Sequence, residues 1–182
     1  MPLLSSLITI AAGVYLCIGI IVMARRRPAY SHIRDTISEL GEVGASDSRR
    51  VTYGLFLPVA ILLFAAAATI FSSSERIAML GVCMGAGYFV SVVAPCDPGS
   101  PMAGSFRQTL HNVGGGIEYC GGALSLWLVA EEHGSCFLYS GWLVAIGVIA
   151  ISIPGLAIRG LVQRGVETVL FVCMSYACYL AA

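Results

Sequence analysis

Residues 3–24 read L-L-S-S-L-I-T-I-A-A-G-V-Y-L-C-I-G-I-I-V-M-A and are followed at once by Arg25, Arg26 and Arg27. A helix needs about 20 apolar residues to cross a bilayer, and this run holds no charged residue. A cleavable secretory signal carries its basic residues before the apolar run, not after it. The stretch therefore predicts a first membrane-spanning helix that the protein retains.

The composition of the whole chain agrees with a membrane environment. Of 182 residues, 58% are hydrophobic and 11% are charged, and the mean hydropathy is +0.87. An average soluble domain has about 25% charged residues. The formal net charge is zero, which argues against a nucleic-acid-binding protein because such proteins carry a basic excess.

Five more apolar stretches follow the first, and all are continuous rather than alternating, so they predict helices and not barrel strands. We expect an all-α polytopic membrane protein, a compact six-helix bundle that forms one domain over residues 1–182. The predicted spans are 3–24, 51–71, 77–94, 109–130, 138–153 and 165–182.

The arginines predict the orientation of the bundle. With six spans, the connections alternate between the two sides of the membrane. Only Arg76 falls on the side of the termini, and the opposite side carries Arg25, Arg26, Arg27, Arg34, Arg49, Arg50, Arg107, Arg159 and Arg164. Basic residues favour the cytoplasmic side, so both termini are expected outside.

The fourth span, which includes T-L-H-N-V-G-G-G-I-E-Y-C-G-G, is the one with an ionisable group predicted in its interior. Glu118 lies about 13–14 Å into it at 1.5 Å per residue. His111, Gly115, Glu118, Gly122 and Ser125 share one helical face. A charge at that depth is costly, so this face should point into the bundle. A neutral Glu at a close helix crossing is the alternative interpretation.

The first connection contains S-H-I-R-D-T-I-S-E-L-G at residues 31–41. Thr36 and Glu39 form a capping-box pattern, and Gly41 is suited to end the short helix. His32 and Asp35 are not explained by capping. Ser38 is a candidate for substrate contact or for a local hydrogen bond.

The third connection, A-P-C-D-P-G-S-P at 94–101, is a Pro-rich, rigid turn that should hold Asp97 near His111. In the fifth connection, Arg159 and Arg164 are candidates for phosphate contacts. They fit membrane-surface anchors equally well.

These segments predict one polar site. The candidate catalytic residues are His32, Asp35, Asp97, His111 and Glu118, and the candidate substrate-binding residues are Ser38, Arg159 and Arg164. His32, Asp97 and His111 would suit a divalent metal such as Zn²⁺. A proton relay uses the same residue types.

Three patches carry a family resemblance: H-I-R-D-T-I-S-E-L-G at 32–41, P-C-D-P-G at 95–99, and His111 at the start of a span. They resemble the bacterial and archaeal multi-pass family catalogued as domain of unknown function 998. The resemblance implies about six helices in a bacterial or archaeal inner membrane. It also implies signature residues at His32, Asp35, Ser38, Asp97 and His111, but no reaction.

Three functions remain open. The first is binding or processing of a lipid or isoprenoid head group, with or without metal, and the second is proton-coupled transport through Glu118. The third is a non-catalytic membrane subunit or scaffold, for which the small-residue pattern Gly81-x-x-x-Gly85 offers a packing face. Membrane lipids are the expected partners, no nucleic acid is expected, and a homodimer is left open.

Overall fold

A computed structural model describes residues 1–182, which form helices and turns without any strand. The predicted all-α bundle is confirmed. Its six long helices are α1 Pro2–Arg25, α2 Ser48–Ile70, α3 Glu75–Val93, α4 Phe106–His133, α5 Ser135–Ile151 and α6 Arg159–Leu180. Five of them begin within three residues of the predicted starts. The sixth begins at Arg159 rather than at residue 165, which changes the depth of every polar side chain on it.

Consecutive helices pack against each other around the bundle, and α6 returns to pack against α1. Weaker contacts join α6 to α3 and α4 across the middle. Short connections force neighbouring helices to run antiparallel. The interior of this ring is where α3, α4 and α6 present their polar side chains to one another.

The three odd-numbered connections lie together at one end of the bundle, here called the connection end. The Val43 N–H donates to the Cys96 carbonyl at 3.0 Å, and the Gly160 N–H donates to the Arg34 carbonyl at 3.2 Å. At the opposite end, near both termini, Ser6 Oγ donates to the Ser175 carbonyl at 2.8 Å. The alternation of connections expected for six passes is therefore present in the fold.

A π-helical turn at Thr52–Phe56 interrupts α2 just before Pro58. Proline has no N–H, so it cannot bond the carbonyl of Gly54 four residues earlier. The hydroxyl of Tyr15 on α1 donates to that carbonyl instead. A neighbouring helix thereby satisfies the backbone group that the proline leaves free.

Four helices, α1 to α4, are long and apolar enough to cross a membrane, while α5 is apolar but shorter. Large apolar side chains are exposed on the outer face of the bundle, among them Val14, Ile18 and Ile149. Water would solvate such a surface poorly. The apolar helices therefore indicate a membrane protein.

The Gly81-x-x-x-Gly85 pattern of α3 is used inside the bundle. A Cβ at Gly81 would meet Met174 of α6 and Ala67 of α2, and one at Gly85 would meet Phe64 of α2. The small residues therefore allow close packing among helices of one chain.

Candidate functional site

The first, third and fifth connections interlock and cover the connection end of the bundle, and this cover is here called the roof. The guanidinium of Arg159 donates to the carbonyls of Ile151 at 3.0 Å, Gly99 at 3.1 Å and Ser100 at 2.6 Å. All three of its nitrogens bond backbone oxygens, so Arg159 ties the third connection to α5. The structure gives it a positioning role in place of the predicted phosphate contact.

The first connection is held under this roof by its own side chains. Glu39 Oε1 accepts the N–H of Thr36 at 3.0 Å and its hydroxyl at 2.9 Å. The bond to the N–H is the return bond of the predicted capping box, but Ile37 is the N-cap and the Thr36 side chain does not cap the helix. A short 3-10 helix spans Ser38–Gly41. The thiol of Cys96 donates to the Ser38 carbonyl at 3.4 Å, and burial together with Glu42 raises the pKa of that thiol to about 12.

A polar cavity of about 260 Å³ lies beneath the roof, between α3, α4, α5 and α6. Four of the predicted site residues line it: Ser38, His111, Glu118 and Arg159. The structure therefore brings together four of the eight predicted site residues, and the other four lie outside the cavity. The buried face of α4 is also as predicted, because His111, Glu118, Gly122 and Ser125 are all buried.

His111 is oriented by the end of α3. Its Nδ1 lies 3.0 Å from the Ala94 carbonyl, and a carbonyl oxygen only accepts, so Nδ1 carries the proton. In the neutral ring, Nε2 then keeps a lone pair. The cavity therefore contains an imidazole whose remaining nitrogen accepts a hydrogen bond or a proton.

Glu118 is not alone in the bundle. Its carboxyl group neighbours that of Glu167 on α6, and both residues are buried at 6% and 5% exposure. Glu167 accepts the hydroxyls of Tyr88 at 2.9 Å and Tyr119 at 2.7 Å. Oε1 of Glu118 is buried without a hydrogen-bond partner. The expectation that Glu118 is the one deep carboxylate is therefore wrong.

The sequence pattern missed Glu167 because the predicted sixth span began at residue 165, which placed this carboxyl group at the membrane surface. The helix begins at Arg159, so Glu167 lies about 12 Å inside it at 1.5 Å per residue. The signal was present in the spacing of Gln163, Glu167 and Leu170, which share one buried face.

A hydrogen-bonded chain connects this carboxyl pair to the first connection. The Ile37 N–H donates to Gln163 Oε1 at 2.6 Å, and Gln163 Nε2 donates to the Tyr119 hydroxyl at 2.9 Å. Tyr119 in turn donates to Glu167. An unbroken line of hydrogen bonds therefore joins Glu167 to the backbone at Ile37.

His32 and Arg164 lie outside the cavity. They border an apolar groove of about 520 Å³ between α1 and α6, which Glu167 also borders. Arg164 donates to the carbonyls of Asp35 and Gly160 and to the hydroxyl of Tyr30. The carboxyl pair thus lies between two spaces, because Glu118 borders the cavity and Glu167 borders the groove.

Asp97 and Asp35 border neither space. Asp97 accepts the N–H of Ser105 at 2.7 Å, its hydroxyl at 2.8 Å and Arg107 at 2.8 Å, and these partners lower the pKa of Asp97. Burial raises the pKa of Asp35, but the side chain of Arg34 and the N–H of Ser31 outweigh it and lower the pKa overall. Both carboxylates hold loops in place, and neither is hydrogen-bonded to His111, whose Nδ1 bonds the Ala94 carbonyl.

The residues proposed for zinc do not converge. No three His, Cys, Asp or Glu side chains are grouped so that they could hold a metal ion. His32 borders the groove, His111 borders the cavity, and Asp97 is engaged by Ser105 and Arg107. These donors do not fit a shared ion, so no chemical step is assigned to a metal.

The fold and the site define a helical-bundle membrane protein with a pair of acidic residues in its interior. The family model described as protein of unknown function (DUF998) matches residues 9–182. The chain therefore belongs to this family, which confirms the resemblance seen in the three sequence patches. No curated protein and no solved structure matches the chain significantly.

Proposed function

We propose that this chain is an integral inner-membrane protein of six spans that exchanges protons for a small hydrogen-bond-donating or cationic solute at its polar cavity. The single observation that carries the proposal is the buried pair of Glu118 and Glu167, placed between the cavity and the groove. The arginine distribution supports a cytoplasmic connection end, with both termini outside.

The carboxyl pair is suited to proton binding. Two carboxylates side by side in an apolar interior repel each other and lack water, so at least one holds a proton. Two tyrosine hydroxyls donate to Glu167 and favour its charged form, whereas Glu118 has an oxygen with no donor. Glu118 is therefore the protonated member, and it faces the cavity from which a solute would arrive.

The groups that face the cavity select the class of solute. His111 and Glu118 are the titratable residues that line the cavity beside Arg159. Nε2 of His111 has no hydrogen-bond partner, and Oε1 of Glu118 is buried and also has none, while the one cation, Arg159, is engaged by carbonyls. A phosphate would find no free cation there. A solute that donates hydrogen bonds, such as an amine, would take the proton's place at Glu118.

The size of the cavity is consistent with a small solute. Its volume of about 260 Å³ lies below the roughly 300–1,000 Å³ typical of drug-sized ligand sites. A lipid head group with its chains would not fit beneath the roof. The lipid or isoprenoid chemistry expected from the sequence therefore has weaker support at this site than proton exchange has.

Proteoliposomes with a trapped pH-sensitive dye test the proposal, with ethanolamine, choline and putrescine as separate probes. We expect at least one probe to drive proton movement in the wild type and Glu118→Gln to abolish it. Glu75→Gln is the matched control, because Glu75 is exposed in the first turn of α3. If no probe moves protons in a Glu118-dependent way, the transport function is wrong.

A second measurement tests the protonation state on which the transport cycle depends. Infrared difference spectra of the purified protein should show the carbonyl band of a protonated carboxylic acid at neutral pH. Glu118→Gln should remove that band. Glu167→Gln should keep it, because the protonated carboxyl group of Glu118 remains. A spectrum without any protonated carboxyl band would contradict the proposal even if flux were observed.

A further inference from the structure

The groove between α1 and α6 is separate from the cavity and has different walls. It has a volume of about 520 Å³, and aliphatic side chains of both helices, such as Ile10, Val14 and Val172, border it and are exposed. The absence of a side chain at Gly13 lets Phe171 approach α1 there, since an added Cβ would lie 3.1 Å from its ring. The groove is thus an apolar, open depression along the side of the bundle.

The groove is long enough for a single lipid chain. It runs along α6 from Arg164 to Ser175, which is about 17 Å at 1.5 Å per residue. Half of a hydrocarbon core of about 30 Å is roughly 15 Å. A single lipid chain whose head lies at the connection end would therefore extend along the whole groove.

The charge at one end of the groove favours a lipid over a helix of a second copy. A second copy that packed its own α1 and α6 on this face would bring no free carboxylate to Arg164, because α1 has no acidic residue and Glu167 of α6 is buried. An anionic lipid brings both a hydrocarbon chain for the apolar walls and a negative charge for the arginine.

The connection end of the groove carries a positive charge without an ionic partner. Arg164 forms no salt bridge, and three of its five N–H groups donate to Asp35, Gly160 and Tyr30. Its Nε is buried and has no hydrogen-bond partner. One N–H of Nη2 also has no acceptor, because the hydroxyl of Tyr30 takes only the other one. A phosphate or carboxylate oxygen at this end of the groove would accept from it.

His32 adds a second group at the same end. It borders the groove beside Arg164 and packs edge-on against Tyr30, with ring centroids 5.5 Å apart. Burial and the charge of Arg164 lower the pKa of His32, so the imidazole stays neutral and free to donate or accept. Glu167 also borders the groove, but its oxygens are turned to Tyr88 and Tyr119 in the interior.

We propose that this groove holds one hydrocarbon chain of an anionic lipid from the leaflet at the connection end, with its head group at Arg164 and His32. The proposal rests on membrane insertion but not on proton exchange at Glu118. The lipid would lie against α6 and so contact the element that carries Glu167.

Native mass spectrometry of the protein released from nanodiscs tests this site. The discs contain equal amounts of phosphatidylglycerol and phosphatidylcholine as the anionic and zwitterionic probes. We expect one retained phosphatidylglycerol per chain in the wild type and at least a tenfold loss of retention in Arg164→Gln. Arg76→Gln, at the opposite end of the bundle, should retain the lipid.

A second variant covers the case in which Arg164→Gln fails to fold. Val172→Trp fills the groove away from the connections and should also abolish retention, whereas Ile149→Trp, on the exposed face of α5, should not.

Equal retention of both lipids, or retention unchanged in Val172→Trp, would overturn the proposal. A lipid-free dimer that Val172→Trp dissociates would overturn it in favour of a second copy. Proton movement that persists in Val172→Trp would show that the two functions are separable.

Discussion

The cavity and the groove border the same pair of carboxyl groups but differ in almost every other respect. The cavity has mostly polar lining residues and lies beneath three interlocked connections, and Glu118 is among the residues that border it. The groove is apolar and has exposed walls along its length, and Glu167 borders it while its carboxyl oxygens point to tyrosines of the interior. The comparison shows that one buried acidic pair is flanked by two spaces of different chemistry, and that only the cavity offers it a polar flank.

The largest effect is expected at the contact between α3 and α4 that holds Glu118 against the cavity. A Cβ added at Gly87 would lie 2.5 Å from the Cβ of Glu118, so Gly87→Ala forces the two helices apart. Overpacking of this kind costs about 1–3 kcal/mol. Thermal unfolding in detergent should show the loss, and Glu118-dependent proton movement should disappear.

Gly165→Ala is the matched control on α6, because no atom lies within 4 Å of a Cβ added there. Replacing a helical glycine whose surroundings are open is expected to change stability by no more than about 1 kcal/mol, in the stabilising direction. Equal behaviour of Gly87→Ala and Gly165→Ala would mean that the packing around Glu118 is not tight.

The two carboxyl groups should respond differently to neutralisation. Glu167→Gln replaces the charged acceptor of the Tyr88 and Tyr119 hydroxyls by a neutral amide. Each of these hydrogen bonds should weaken by about 1 kcal/mol, which lowers the unfolding temperature. Glu118→Gln replaces a protonated acid that has an unpartnered oxygen, so it should leave the unfolding temperature nearly unchanged. Urea or thermal unfolding of the two variants measures the asymmetry.

If Glu118→Gln were the more destabilising of the two, the assignment of the proton to Glu118 would be reversed. The cavity would then border the charged carboxylate, and Glu167 would be the protonated member of the pair. This outcome would keep the acidic pair but exchange the roles of its two members.

The smallest effect concerns the roof that distinguishes the cavity from the groove. Ser105 and Arg107 lower the pKa of Asp97 below its usual value of 3.8. A carboxyl group with a depressed pKa stabilises the fold above its unfolded value and loses this contribution as the pH falls through its folded value. The unfolding temperature should therefore decrease below about pH 4 in part through Asp97.

Asp97→Asn should remove that part of the acid dependence and make the protein less stable at neutral pH. Asp47→Asn is the comparison, since Asp47 is paired with Arg26 and Arg50 away from the cavity. Only Asp97→Asn should also increase hydrogen exchange at the backbone of the third connection. The same acid dependence in Asp97→Asn and the wild type would exclude this role.

Much of the architecture was predictable because apolar length and charge distribution are local properties of the chain. The helices α1 to α5 begin close to the predicted residues, since each apolar run is bounded by polar or turn-forming residues. The start of α6 was missed because Arg159 and Arg164 read as a surface connection. In the fold, the Ser100 carbonyl accepts from Arg159 and the Asp35 carbonyl accepts from Arg164. Both arginines therefore belong to α6, which begins at Arg159.

The site was predicted less completely because it depends on contacts between distant segments. The pattern on α4 predicted the inward face with His111 and Glu118, but no local spacing relates Glu118 to Glu167. The roles of Asp35, Asp97 and Arg159 also depend on partners. The sequence predicted a functional contact for each of them. In the fold, Arg34 bonds Asp35, Arg107 bonds Asp97, and the Ser100 carbonyl accepts from Arg159.

The amino-acid sequence by itself determined a six-helix, apolar chain with an acidic group deep in its fourth helix, because hydrophobic periodicity and length need no knowledge of neighbours. Only the tertiary structure decided that a second carboxyl group meets the first, and that the pair lies between a polar cavity and an apolar groove. The physical reason is that a buried charge is governed by what surrounds it, and those surroundings come from helices far apart in the chain.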